Sequence, residues 1–166
     1  MKHFFFNDSM NKTMLKKINE LTDKAGCVKY FSHLVNSQNK WMARIVQDGK
    51  AREMSWWDPV YPFEKLEERW NESLQIWINY LLSKTDGEIF EEAEFTGYDG
   101  GDGSARLIDI ALQLNYHSIH HRAQIQMLIR QQGIEPDFID YIGTKYRKDE
   151  PRFVGFVGFL GNMEAK

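Results

Sequence analysis

Residues 22–47 read TDKAGCVKYFSHLVNSQNKWMARIVQ. Val28, Phe31, Leu34, Val35, Trp41, Met42 and Ile45 recur there at helical spacing, so the stretch predicts an amphipathic helix with one apolar stripe. Asp48-Gly49 ends it. A stripe of that length must be buried against other helices. Upstream, Met10, Met14, Ile18 and Leu21 predict a helix over 6–20. Downstream, Pro59 and Pro62 in SWWDPVYP hold off helix until Phe63. Phe63, Leu66, Trp70, Leu74, Trp77 and Leu81 then mark a third helix over 63–83. Glu64, Glu67 and Glu68 lie in its first turns, where the helix dipole favours negative charge.

Residues 86–103, DGEIFEEAEFTGYDGGDG, lose the helical period. Ile89, Glu91, Ala93 and Phe95 alternate with their neighbours, and a Gly-Asp cluster follows, so a short extended piece or hairpin is expected. Ser104 is the expected N-cap of a last long helix that stops near Gly133. Residues 137–145 predict one further short helix, and the tail RFVGFVGFLGNMEAK is apolar but broken by glycines. No repeat or linker interrupts the chain. The expectation is one all-α domain over 1–166, a four-helix bundle with a short extended or hairpin insertion before its last long helix.

The 166 residues carry a net charge of −3 without a long block of either sign, which argues against a nucleic-acid partner. A single cysteine, Cys27, excludes an intramolecular disulfide and fits a reducing compartment. The opening MKHFFFNDS has too short an apolar run for a signal peptide. No run approaches the ~20 apolar residues that span a bilayer. A soluble, cytoplasmic protein without a membrane partner is expected.

Residues 115–125, NYHSIHHRAQI, hold three of the five histidines. His117 and His121 are one turn apart and differ by about 40° around the helix. Leu107, Ile110, Leu114, Ile125 and Leu128 share their side, so both imidazoles point inward. His120 is turned about 60° from His117, toward Tyr116 and Met127, and reads as a flank residue. Inward imidazoles need partners. A divalent metal satisfies both, and H-x-x-x-H lets two ring nitrogens converge on one ion. The same spacing serves a hydrogen-bonded core pair equally well. His3 lies in a terminal segment. His33 sits beyond the edge of the Val28–Phe31–Val35 stripe, beside Tyr30 and Ser37, which by itself suggests a rim position.

The order YFSHLVNSQNKWMARI, then HSIHHRAQI, then LIRQQGIEPDFIDYI resembles the DinB/YfiT-like superfamily of four-helix-bundle metalloproteins, from the first helix to about Tyr146. In that superfamily one histidine of the second helix joins two, spaced four apart, in the last long helix. The second of these opens a His-Arg-Gly-Gln motif, for which this chain has His121-Arg122-Ala123-Gln124. The resemblance implies an up-down-down-up bundle, a homodimer, and His33, His117 and His121 as an open three-histidine site for zinc, nickel or iron. Gln124, about 20° from His117 on the wheel, would support a ligand from behind or touch substrate. Arg122 projects to the other side and reads as a structural or interface salt bridge.

An open three-nitrogen site can polarise an oxygen, activate water or bind a thiolate. Members of the superfamily include thiol-dependent S-transferases and isomerases. The resemblance therefore implies a metal-dependent enzyme acting on a small molecule, a thiol S-transferase with a low-molecular-weight thiol cosubstrate or a hydrolase. Two alternatives stand beside it: a non-catalytic metal-binding module, and a metal-free helical interaction protein with core histidines. No histidine follows a glutamate by three, which rules out a ferritin-like di-iron pattern, and H-E-x-x-H is absent. Cys27, about 120° from His33, reads as packing. Trp56-Trp57, in a loop, would wall a substrate pocket or a dimer contact.

Overall fold

The computed structural model describes residues 2–97 and 100–145, so the tail 152–166 lies outside the described residues. The chain is mostly helical. Among the described residues there are four α-helices, α1 (Lys2–Asn19), α2 (Ala25–Ile45), α3 (Phe63–Leu82) and α4 (Leu107–Gln131), with a two-stranded antiparallel hairpin between α3 and α4. Its strands are β1 (Glu92–Thr96) and β2 (Asp102–Arg106), with Glu94 opposite Ser104. The expected short helix over 137–145 is a 3₁₀ turn at Tyr141–Thr144. No helix among the described residues is long and apolar enough to cross a membrane.

Two helix ends differ from expectation, each for a local reason. Ser104 does not cap α4. It is a hairpin residue whose hydroxyl donates to Glu92 at 2.5 Å, and α4 begins only once the pairing ends at Arg106. At the other end of the chain, α1 starts at Lys2 and runs straight through Asn7-Asp8-Ser9. Those polar residues have inward work instead: Asp8 accepts the Trp70 indole N–H at 2.9 Å, and buried Asn7 accepts from Arg122.

The helices α1 and α2 both pack on α4 and on α3, which buries the stripes read from the sequence. The buried apolar residues form two clusters. One gathers Met14, Ile18, Phe31, Val35, Trp70 and Ile125; the other gathers Phe4, Met42, Leu74, Trp77 and Ile110. Between them every helix turns polar at the same height: Asn7 and Asn11 on α1, residues 36–38 on α2, Ser73 on α3, and Asn115, Ser118, His121 and Arg122 on α4. Buried polar groups are tolerated only where they are hydrogen-bonded or hold a charge or metal. The candidate site lies in this belt.

Candidate metal centre

Because α4 is covered on two sides, its belt residues face two ways. His117 and His121 point toward α2, where His33 meets them. One ring nitrogen from each of the three lies within 4.8 Å of the others. The ring centroids are 4.9 Å apart for His33–His117, 4.6 Å for His33–His121 and 4.4 Å for His117–His121. The His117 and His33 Nε2 atoms are 2.9 Å apart, with Ser37 Oγ 3.3 Å from the former.

The wheel of α2 suggested a rim position for His33, yet it is only 5% exposed. The reason is the loop between α2 and α3, which folds back over the polar edge of α2. Ser32 Oγ accepts from the Tyr61 N–H at 3.0 Å, and Asn36 donates to the Pro59 carbonyl at 3.1 Å. Lys40 donates to the Met54 carbonyl, and His33 Nδ1 lies 2.6 Å from the Trp56 carbonyl. Main-chain groups of the loop are thus pinned to one helix edge, roofing the histidines. The Trp57 indole stacks on His33 at 3.9 Å and 10°, and Tyr30 stacks on His121 at 5.5 Å.

These contacts set the tautomers. A carbonyl only accepts, so His33 Nδ1 carries the hydrogen and Nε2 keeps its lone pair. His121 Nδ1 likewise faces Gln124 Oε1 at 2.6 Å, leaving its Nε2 lone pair. The His33 lone pair therefore faces His117 Nε2, with a His121 ring nitrogen within 4.8 Å of the cluster, and a carbonyl or amide oxygen behind an imidazole is the arrangement that orients metal-ligating histidines. The donor set fits a divalent cation. Burial pushes His117 and His121 down to about 4, with repulsion from the neighbouring histidines adding to the effect, and burial also lowers His33. All three are therefore neutral at pH 7, as a ligand must be.

Because burial holds His117 and His121 at about 4 and also lowers His33, zinc affinity should stay level from about pH 8 down through the ordinary histidine range and drop steeply only at lower pH. Competition with a chromophoric chelator across that range measures it. A decline already under way near 6.5, the ordinary histidine value, would mean that burial does not hold the rings neutral.

Other residues singled out in the sequence fall as follows. Gln124 backs His121 through the bond just described. His120 is exposed. Cys27 is 1% exposed, its thiol pushed up to about 11 by burial, which suits packing and not nucleophilic chemistry. Among the described residues Arg122 has no salt bridge. It is buried against α1, where it donates to Asn7, to Asn11 at 3.1 Å and to Ser118 at 3.1 Å, and burial lowers its pKa to about 10. The wheel gave its direction correctly, but not that α1 would cover that side. Trp56 and Trp57, with Trp41, Ser37, His33 and His117, wall a cavity of about 220 Å³. Ser37 escaped the sequence reading as a site residue, although its place one turn after His33 was a usable signal.

A family model described as the DinB family matches residues 8–152 of this chain. No curated protein matches it.

Proposed function

The chain belongs to the DinB family, and from that premise we propose that it is a metal-dependent enzyme acting on a small molecule, of the thiol S-transferase or hydrolase class. The observation that carries this reading is the convergence of His33, His117 and His121, with the Nδ1 atoms of His33 and His121 engaged from behind. Three protein nitrogens leave coordination open, which distinguishes catalytic from closed structural sites. A zinc, nickel or ferrous ion held there would polarise an oxygen, activate water or bind a thiolate. The chain's own residues supply the rest: Trp57 shields His33 from water, and the 220 Å³ cavity beside His33 and His117 gives a reacting group room to approach. In this reading the four helices form the up-down-down-up bundle of the family, with the site in its polar belt.

One observation favours a metal-free alternative: the 2.9 Å Nε2···Nε2 contact of His33 and His117 can be a hydrogen bond. Elemental mass spectrometry of the purified, untagged protein separates the two, with about one divalent ion per chain expected for an open three-nitrogen site. The zinc, nickel and iron forms are then assayed with a low-molecular-weight thiol plus an electrophile, and with hydrolysable esters. A protein that neither carries nor takes up any of these metals would sink the enzyme reading. Metal bound without turnover on either substrate set would favour a binding module.

A further inference from the structure

The helix face that carries His33 and Ser37 does not end with them. Lys40 and Arg44 follow on α2, and at about 100° per residue all four side chains fall within a sector of about 60°. One end of the face holds a metal ligand; the other holds two cations. Both cations are buried, Lys40 at 7% exposure and Arg44 at 8%. They line a cavity of about 860 Å³ between the roof loop and the hairpin, of a size that takes small-molecule ligands.

Trp56 is common to this cavity and the metal centre. It walls both the 860 Å³ cavity and the 220 Å³ one at His33 and His117. Its ring also steadies both cations, with Lys40 Nζ 4.8 Å and the Arg44 guanidinium 4.9 Å from the centroid. Lys40 gives one of its three ammonium hydrogens to the Met54 carbonyl. Burial and the nearby Arg44 charge both disfavour its charged form. Acidic residues of the cavity, Glu94 and Asp102 on the hairpin and Asp48 after α2, are exposed at its mouth, where solvent screens them. Asp48 is in addition engaged with the Lys50 N–H at 2.9 Å. Lys40 and Arg44 thus put two cations on the wall of one cavity, and an oxyanion seated there would accept charge-assisted hydrogen bonds from both.

We propose that Lys40 and Arg44 form the subsite for an anionic end of the substrate, a carboxylate or phosphate-type oxyanion, whose reacting end passes Trp56 to reach His33 and His117. This deepens the metal-enzyme reading and rests on it for the identity of the reacting end. Seven residues separate Lys40 from His33, a rise of roughly 10 Å along α2. The substrate class is therefore an elongated small molecule with its anion roughly 10 Å from the reacting atom.

Succinate and inorganic phosphate, titrated separately into the full chain by calorimetry at low salt, test the subsite with and without zinc. Saturable binding of at least one is expected, weakened about tenfold or more in Lys40→Met and in Arg44→Gln, since each removes one charge-assisted contact. Arg52→Gln, at the exposed rim, should bind within about twofold of wild type, as expected for a screened surface charge. Binding of succinate alone assigns a carboxylate, of phosphate alone a phosphate, and of both an unselective oxyanion site. Circular dichroism and zinc stoichiometry establish that each variant is folded and loaded. Failure of both anions to bind wild type, or wild-type binding in both folded α2 variants, overturns the inference. The two readings fail separately: full zinc loading without anion binding sinks the subsite alone, while anion binding in a chain that takes no zinc upholds the cavity and sinks the metal centre.

Discussion

Replacing His121 with alanine should weaken zinc binding by more than about 100-fold, because losing a residue that merely supports a ligand already costs 10–100-fold. His33→Ala and His117→Ala should fall in the same range, since each removes one of three converging nitrogens. His120→Ala provides the contrast. Its ring lies 4.9 Å from that of His121, but the side chain is exposed and outside the cluster, so affinity should stay within about threefold of wild type, the scale of a screened surface charge. Competition against a chelator of known affinity reads all four variants. Equal losses at His120 and His121 would show that the facing of α4 has been misassigned. Retained affinity in His33→Ala would take α2 out of the site.

A second large effect concerns the frame. Trp70→Ala should destabilise the metal-free protein by about 3–5 kcal/mol, the range for truncating a fully buried tryptophan. Trp70 is 0% exposed, meets Phe31 edge-on at 5.9 Å, and donates its indole N–H to Asp8. Alanine forfeits the ring's packing and leaves Asp8 with Lys12 as its remaining side-chain partner. Against a total stability of about 5–15 kcal/mol, such a loss moves the urea midpoint far down. Trp70→Phe keeps most of the ring and should cost clearly less. A midpoint for Trp70→Ala close to wild type would mean that the cluster around Met14, Phe31 and Ile125 does not hold α3 in place. Metal must be absent from both samples, since a ligand that binds only the native state masks part of the loss.

What the sequence made legible followed periodicity. Of the α3 stripe, Leu66, Trp70, Leu74, Trp77 and Leu81 are buried as read and Phe63 at its start is half-buried, because one side of α3 faces the other helices and the remainder faces water. His117 and His121 were equally readable, lying on the side of α4 marked by Ile110, Leu114 and Ile125. Helices covered on several sides defeat the same argument. On α2 every residue from Phe31 to Gln38 is buried, polar and apolar alike, so the apolar stripe located only part of its contact surface. The inward place of His33 depends on main-chain groups of residues 54–61, and backbone donors and acceptors leave no trace in side-chain patterning. Resemblance supplied His33 where geometry on one helix could not. Arg122 failed for a related reason: a charged residue off the apolar side normally meets solvent, and nothing in Asn7 or Asn11 advertises that together they replace it.

The Asn7–Asn11–Ser118–Arg122 cluster bears on the histidines without touching them. His117 and Ser118 are neighbours, as are His121 and Arg122, so the two groups leave α4 at the same height about 100° apart. Any roll of the helix that re-aimed the imidazoles would drag the guanidinium off its seat on α1 and leave buried oxygens bare. The cluster acts as a detent: it fixes the azimuth of α4 from its far side. The aim of the three rings is therefore kept where neither metal nor substrate competes for it, and the site can exchange its contents without losing its bearing.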